Sequence, residues 1–354
     1  MMKIFFITTI EQSFPVLRRW LRRGYAAMIM GCLLASHLAN AGCLNNARMV
    51  GVNLSGAEFA SEKLPGTIFK DYVYPDVADM RHFQAVGMNT FRLPFLWERI
   101  QPQLFGPLNP TELQRIVDTA SAAQSLGVCL ILDVHNYGEY RGNPIGSAEV
   151  PRAALSDLWS RLSSTFKDPA HVAFGLMNEP SKLPTADWAA TAQLTVNALR
   201  KNGVKNLILV PGGSWSGAHS WFEKDGAISN ADAFRSFHDP ANNYMIETHQ
   251  YADANFSGTH GSCIDPARLS VIMAKITQWA IATRQRLFLG EFGVPANQPC
   301  LDALAAILGG MKGGTVWGGW TYWAAGQWLG SYPFSIQFDS SGDKPQLAIL
   351  KGGM

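Results

Sequence analysis

Short runs of apolar, often β-branched residues recur along the chain and predict buried strands. Eight such runs begin roughly 30 to 45 residues apart, and stretches with apolar residues at helical spacing fill most of the gaps between them. The predicted strands are Met49–Leu54, Thr90–Phe95, Val128–Val134, Val172–Met177, Leu207–Val210, Met245–Thr248, Leu287–Leu289 and Thr315–Tyr322.

Helical periodicity is clearest in 111–126, where apolar residues recur every three or four positions before Gly127. Similar stretches occupy 153–166, 188–201, 267–284 and 301–308. Alternating strands and helices predict a parallel sheet of the α/β class, and eight units fit one (β/α)₈ TIM barrel. The alternative is an open doubly wound sheet. That alternative predicts a glycine-rich phosphate loop, and the sequence contains no G-x-G-x-x-G.

The first 41 residues have the pattern of an export signal. Four arginines between positions 18 and 23 precede the apolar run Tyr25–Leu38, which ends at Ala39-Asn40-Ala41. The run is short for a membrane span, so we expect no stable span once residues 1–41 are removed, leaving 42–354 as one secreted domain. The alternative is a lipid anchor, because Ala41-Gly42-Cys43 resembles a lipoprotein processing site.

Composition and charge exclude several classes of protein. Hydrophobic residues make up 47% of the chain and charged residues 16%, which excludes wholesale disorder. Removing 1–41 takes away five basic residues and one acidic residue. The remaining chain has 24 Lys and Arg against 26 Asp and Glu, a net charge of −2. We therefore expect no nucleic-acid partner, and we expect a monomer.

Polar side chains close the predicted strands, where the active sites of barrel enzymes lie. Glu179 and Glu291 stand out, because cleavage of a glycosidic bond uses two carboxylates. Arg92 and Tyr251 are candidates to hold Glu291 ionised, whereas Glu179 has no cationic neighbour in the sequence and is the better candidate for a raised pKa. The residues closing the strands are Asn53, Arg92, His135, Asn178, Glu179, His249, Tyr251, Glu291 and Trp323.

Six motifs in this order resemble those of glycoside hydrolase family 5, and two others resemble its secreted endoglucanase (cellulase) branch. The first six are Asn89–Phe95, Asp133–Tyr137, Gly175–Pro180, Glu247–Tyr251, Gly290–Gly293 and Trp320–Gly326. The other two are Gly51–Phe59 and Gly213–Trp221. The resemblance covers nearly all of 45–345, and the ordered set is more specific than any single motif.

The resemblance implies a (β/α)₈ barrel and a retaining mechanism in which Glu179 is the acid/base and Glu291 the nucleophile. It makes Arg92, His135, Asn178, His249, Tyr251 and Trp323 the remaining active-site positions. From their chemistry, Asn178 would bond the sugar 2-hydroxyl, and Trp323 would lie beneath the sugar beside the cleaved bond. Trp215 is expected either to stack on a sugar or to pack within its loop, and Asn53 to serve the site at the end of the first strand.

Four cysteines remain after the leader, and export to an oxidising compartment favours disulfides. Four cysteines allow three pairings, and the sequence alone does not choose among them. In a barrel, however, Cys263 and Cys300 follow neighbouring strands, so we expect these two to pair. Cys129 opens a buried strand and is expected to be a core thiol, with Cys43 free, lipidated or paired with it. No zinc-ligand spacing is present, and we expect neither a metal nor a cofactor.

Three functions fit these observations. The leading hypothesis is a secreted endo-β-1,4-glucanase acting on a β-glucan polysaccharide. The second keeps the same mechanism on another β-glycan, such as mannan or xyloglucan. The third is a carbohydrate-binding protein without catalysis, which the presence of both Glu179 and Glu291 disfavours.

Overall fold

A computed structural model describes residues 42–43, 48–312 and 315–354. Eight parallel strands close into a barrel, which confirms the predicted (β/α)₈ fold and excludes the open doubly wound sheet. The strands are β1 (Met49–Leu54), β2 (Thr90–Phe95), β3 (Cys129–Val134), β4 (Val172–Gly175), β5 (Ile208–Pro211), β6 (Tyr244–His249), β7 (Leu287–Glu291) and β8 (Trp317–Ala325).

The barrel closes between its first and last strands. β1 pairs in parallel with β8, placing Met49 opposite Gly319, and on its other side with β2, placing Gly51 opposite Thr90. A Cβ at Gly51 would lie 1.5 Å from the carbonyl oxygen of Thr90, so only glycine permits this strand approach.

Helices cover the outside of the barrel, and the five predicted helices are present with ends shifted by at most three residues. A capping asparagine or aspartate begins three of them, at Asn109, Asp265 and Asn297, and a proline stands at the first or second helical position of each. The helices are α1 (Val77–Ala85), α2 (Trp97–Ile100), α3 (Pro110–Ser125), α4 (Ala153–Thr165), α5 (Thr185–Lys201), α6 (Asn230–Ala233), α7 (Pro266–Thr283), α8 (Gln298–Gly310) and α9 (Pro345–Lys351).

The barrel interior changes from apolar to polar along its axis. Side chains alternate along a strand, so residues two apart share a face. β3 accordingly carries Ile131 and then Asp133 on one face, and β6 carries Met245 and then Glu247. The apolar lower layer is one cluster, formed by Cys43, Met49, Cys129, Ile131, Ala173, Leu207, Leu209, Met245 and Phe288. Polar side chains therefore concentrate at the carboxyl ends of the strands.

Two disulfides join distant parts of the chain. Cys263 is bonded to Cys300, and Cys43 is bonded to Cys129. The expectation that Cys129 is a free core thiol is therefore wrong. Cys43 lies under the barrel, where its N–H donates to the carbonyl of Ala170 at 2.6 Å, and this position brings its sulfur to the start of β3.

The predicted export signal lies outside the described residues. Among the residues that the structure describes, no helix is long and apolar enough to cross a membrane.

Candidate active site

A cleft of about 650 Å³ lies at the carboxyl ends of the strands. Most of the predicted site residues line it, whereas Asn53, Arg92 and His249 lie buried beneath it. Its walls include Ser55, Phe59, His135, Tyr137, Asn178, Glu179, Trp215, His219, Tyr251, Phe256, Glu291, Trp323 and Tyr332.

The two predicted catalytic carboxylates lie close together. One oxygen of Glu179, one oxygen of Glu291 and one ring nitrogen of His249 all lie within 4.8 Å of one another. An inverting glycosidase separates its carboxyl groups by roughly 6.5–9.5 Å to admit a water, whereas a retaining one holds them at roughly 5–5.5 Å. The short distance between these oxygens fits the retaining separation better than the inverting one.

Glu291 ends β7 in a setting that keeps it charged. Arg92 Nη1 donates to its Oε1 at 2.9 Å, and the hydroxyl of Tyr251 donates to its Oε2 at 2.8 Å. Burial alone would raise the pKa of this carboxyl, but the positive charges of His249 and Arg92 outweigh burial and lower the pKa below its usual value. A carboxylate held ionised in this way is suited to nucleophilic attack.

Glu179 has the opposite environment. Burial raises the pKa of its carboxyl, although a hydrogen bond from His249 Nδ1 at 2.7 Å opposes that rise. Its backbone has a φ of 42°, in the left-handed region, rather than the extended conformation that a following proline favours. Non-glycine residues in this region are concentrated at functional sites.

His249 ends β6 and connects the two carboxylates. Burial alone would lower its pKa, but the negative charges of Glu291, Glu179 and Glu247 raise that pKa to about 10. The ring is therefore protonated at neutral pH. Its Nδ1 lies 2.7 Å from Glu179 and 3.7 Å from Glu291, and its Nε2 lies 3.3 Å from Glu247.

Arg92 is the buried cation beneath the cleft. Besides Glu291, its guanidinium contacts Asp133 at 3.0 Å and Glu247 at 3.3 Å. It donates to Asn53 Oδ1 at 2.8 Å and to Asn178 Oδ1 at 2.7 Å. Burial would lower the pKa of Arg92, but the three carboxylates raise it further, so this side chain stays charged.

Asn53 supports the site from below and does not line the cleft. Its amide donates to the carbonyls of Gly290, Thr321 and Tyr322 at 2.9 to 3.2 Å, while its oxygen accepts from Arg92. It therefore fixes Arg92 relative to β7 and β8.

His135 links Asp133 to the residues that line the cleft. Its Nδ1 lies 2.8 Å from Asp133 Oδ2, and its Nε2 lies 3.2 Å from Asn178 Nδ2. Its ring stacks on the indole of Trp323, with ring centroids 5.5 Å apart and an interplanar angle of 18°. Asp133 thus both orients a histidine and bonds to Arg92 within the barrel wall.

Trp215 is the most exposed aromatic side chain of the cleft wall, with 52% of its surface accessible. Its ring meets Tyr137 edge-on at 5.8 Å. Trp97 and Trp221, which also follow strands, are buried in the core and do not line the cleft.

Three residues of the site, Glu247, Tyr137 and Ser55, are not among those predicted individually from the sequence. A signal for Glu247 is present, because Glu247 and His249 are two apart on β6 and repeat the spacing of Asp133 and His135 on β3. Gly290 makes room for Glu247, since a Cβ there would lie 2.0 Å from the Glu247 carboxylate.

Glu179, His249 and Glu291 also have a spacing that would suit a metal ion. The nitrogen that would bind the metal is the protonated Nδ1 of His249, and Arg92 already offsets the negative charge of Glu291. These three side chains are therefore better suited to share a proton between His249 and Glu179 than to bind a metal ion, which requires a neutral imidazole.

Residues 52–326 match the family model described as cellulase (glycosyl hydrolase family 5). The chain is 32% identical over 291 residues to endo-beta-1,4-glucanase A of Emericella nidulans, covering 81% of this chain and 86% of that protein. The structure of XacCel5A in complex with cellopentaose is 49% identical, with a TM-score of 0.85, and covers 88% of this chain and all of that one. An endo-beta-1,4-glucanase of Xanthomonas axonopodis pv. citri is 45% identical, with a TM-score of 0.85, covering 87% of this chain and 98% of that one.

Proposed function

The chain belongs to glycosyl hydrolase family 5, and from that premise we propose that Glu291 is the nucleophile and Glu179 the acid/base of an endo-β-1,4-glucanase. The enzyme cleaves internal bonds of cellulose or related β-glucans with retention of configuration. The observation that carries the assignment is the short separation of two carboxylates whose pKa values are shifted in opposite directions.

In the first step, Glu291 attacks the anomeric carbon from the α-face. The bond to the leaving oxygen breaks as Glu179 gives that oxygen its proton, and a covalent glycosyl ester forms on Glu291. Tyr251 and Arg92 orient the attacking carboxylate through their hydrogen bonds. Asn178, fixed by Arg92 and His135, is placed to bond the 2-hydroxyl as positive charge develops on the ring.

In the second step, Glu179 takes a proton from water, and the resulting hydroxide equivalent displaces Glu291 from the sugar. The ionised Glu179 that starts this step is stabilised by the protonated His249 at 2.7 Å. One group therefore serves as acid and then as base without any other proton carrier.

Stacking supports a glucan as the substrate. The equatorial hydroxyls of β-1,4-glucan leave flat apolar ring faces, which suit Trp215 and Trp323 in the cleft wall. Mannan has an axial 2-hydroxyl and would need a different contact at Asn178. The relatives named above carry the same activity in their names.

We further propose that residues 1–41 direct export and that 42–354 act outside the cell as a monomer. Two disulfides support an oxidising compartment. The Cys43 sulfur is bonded to Cys129, which favours a free secreted domain over a lipid thioether at that residue.

Hydrolysis of a panel of soluble β-glycans tests the substrate assignment. We expect carboxymethylcellulose or mixed-linkage β-glucan to lose viscosity faster than reducing ends accumulate. Activity on mannan or xyloglucan with none on β-glucan would establish the alternative substrate class, and release of cellobiose at unchanged viscosity would contradict internal cleavage.

Proton NMR of the fresh products tests the mechanism separately. A retaining enzyme releases the β-anomer first, and the α-anomer appears only through mutarotation. Initial α-anomer would rule out Glu291 as a nucleophile.

A further inference from the structure

Another buried carboxylate, Glu58, lies beside the cleft and takes no part in the two-step reaction. It sits in the loop after β1 with 9% of its surface exposed. The hydroxyl of Ser55 donates to its Oε1, and the N–H of Gly56 donates to its Oε2 at 2.7 Å. Both oxygens of Glu58 are therefore held by donors from its own loop.

Ser55 is fixed to the catalytic end of the barrel and faces the cleft. Its N–H donates to the carbonyl of Ala325, the last residue of β8, at 2.8 Å. Its side chain lines the cleft in company with His135, Glu291 and Trp323. Ser55 therefore borders the cleft that a bound glucan chain would occupy.

A serine hydroxyl has one hydrogen to donate and two lone pairs to accept with. The hydrogen of Ser55 is engaged by Glu58, so only lone pairs remain for the cleft. Glu58 cannot turn away without losing the bond from Gly56 as well. Resting on the proposed function, we infer that Ser55 binds one substrate hydroxyl strictly as a hydrogen-bond acceptor, and that Glu58 fixes this polarity.

The hydrogen bonds of Glu58, and not the shift of its pKa, indicate an ionised carboxyl. Burial raises the pKa of its carboxyl, while the nearby His135 and the hydrogen bonds from Ser55 and Gly56 oppose the rise. Two donors aimed at two oxygens is the arrangement that suits a carboxylate. A proton on Oε1 would turn Ser55 from donor to acceptor, so the proposed polarity requires the ionised form of Glu58.

Glu58→Gln should reverse the direction of the hydrogen bond between residue 58 and Ser55, because glutamine has nearly the same shape as glutamate. The N–H of Gly56 still requires an acceptor, so the amide oxygen must face Gly56 and the NH₂ group must face Ser55. Ser55 then accepts from residue 58 and turns its own hydrogen toward the cleft. The variant therefore converts an acceptor for the substrate into a donor.

The probe is an aryl β-cellotrioside in which each sugar hydroxyl in turn is replaced by hydrogen or by fluorine. Fluorine accepts weakly and cannot donate. For the wild type, we expect one position at which both replacements lower kcat/KM by about three- to tenfold, the value of one neutral hydrogen bond. At that position Ser55→Ala should react with the parent and the deoxy compound within twofold.

With Glu58→Gln, the fluorinated compound at that position should react faster than the deoxy compound. The ratio of kcat/KM for the fluorinated compound to kcat/KM for the deoxy compound is compared between variants, because the inductive effect of fluorine on the reaction is the same in each variant and cancels. Ser164→Ala, an exposed serine on α4 outside the cleft lining, serves as the control and should keep the wild-type ratios. Thermal unfolding of each variant verifies folding, and Ser55→Ala decides the contact even where Glu58→Gln is unstable.

Two results would overturn the inference. If no replacement loses its effect in Ser55→Ala, Ser55 does not contact the substrate. If Ser55→Ala removes the effect but folded Glu58→Gln treats the deoxy and fluorinated compounds as the wild type does, Glu58 does not set the polarity. Failure of the wild type to cleave the parent compound would instead count against the proposed function.

Discussion

The imidazole of His249 lies 2.7 Å from the carboxylate of Glu179, and its pKa is raised to about 10 by the carboxylates around it. A protonated ring in this position favours the ionised form of Glu179, whereas burial of Glu179 favours the neutral form. Glu179 must act first as an acid and then as a base in the proposed mechanism. The opposing effects of burial and of the His249 charge keep both its protonated and its ionised form accessible.

Removing the positive charge of His249 should move the pH–rate profile upward. The protonated ring stabilises the charged forms of Glu179 and Glu291, so its loss in His249→Asn raises both carboxyl pKa values. The acidic limb of kcat/KM, set by Glu291, and the alkaline limb, set by Glu179, should both shift to higher pH. His82→Asn, which loses a pair with Asp343 outside the cleft, is the control. An alkaline limb that moves downward would contradict the electrostatic role.

The two glutamates should respond differently to the leaving group. Glu179→Ala should lower turnover of cello-oligosaccharides by about 10²–10⁴-fold, the usual contribution of a general acid, and spare the bond-breaking step for an activated aryl cellobioside. Glu291→Gln should reduce both reactions by a similar factor, because no glycosyl ester forms. Pre-steady-state and steady-state rates with both substrates measure this difference. Equal losses for both substrates in Glu179→Ala would contradict its assignment as the acid.

The barrel and the residues at the strand ends could be predicted from the sequence for a physical reason. Parallel strands share one carboxyl edge, so side chains such as Glu179 and Glu291 converge although more than a hundred positions separate them. Each strand can be predicted from a local pattern of residues. The barrel topology then brings the ends of strands that are distant in sequence together.

Features set by loop geometry could not be predicted in the same way. The residues before β1 show no periodicity in the sequence, so the pairing of Cys43 with Cys129 was only one of three alternatives for Cys43 and could not be selected. The left-handed φ of Glu179 runs against the usual effect of a following proline. The bonds of Glu58 depend on the turn between Ser55 and Glu58, which strand periodicity does not define.

Arg92→Lys should damage both stability and activity. Lysine keeps the charge but loses the planar fork that contacts Asn53, Asn178 and Glu291 together. We expect the free energy of unfolding to decrease by an amount approaching the roughly 3–5 kcal/mol that removal of one partner of a buried ion pair costs. We also expect the acidic limb of the kcat/KM profile to move to higher pH.

A second buried arginine provides a matched control for that substitution. Arg200 forms a two-pronged pair with Asp239 at 2.7 and 2.8 Å, away from the cleft. Arg200→Lys should lower the unfolding free energy in denaturant titrations but leave the pH profile unchanged. A shifted profile in Arg200→Lys would mean that the effect of Arg92→Lys reports general destabilisation.

The two disulfides should separate stability from substrate binding. In the chain-entropy relation, separations of 37 and 86 residues correspond to roughly 4 and 4.5 kcal/mol for Cys263–Cys300 and Cys43–Cys129. Paired Cys→Ser variants should therefore unfold at lower denaturant concentration. Only loss of Cys263–Cys300 should also raise KM, because it ties down the loop after β6, whose residues 255–259 line the cleft. A raised KM in the Cys43–Cys129 variant would contradict this division.

Trp215→Ala should weaken polymer binding without changing the chemistry of the carboxylates. The indole is half exposed in the cleft wall and makes no hydrogen bond to Glu179 or Glu291, so its loss removes a stacking surface alone. Aromatic stacking contributes about 0.5–1.5 kcal/mol, which corresponds to a KM for β-glucan raised by roughly two- to twelvefold. Phe105→Ala, a similarly exposed ring outside the cleft lining, should leave KM unchanged. Steady-state kinetics on β-glucan and on an aryl cellobioside measure both effects. A large fall in kcat on the aryl substrate, with KM for the polymer unaltered, would mean that Trp215 acts on the reacting sugar rather than as a platform for the chain.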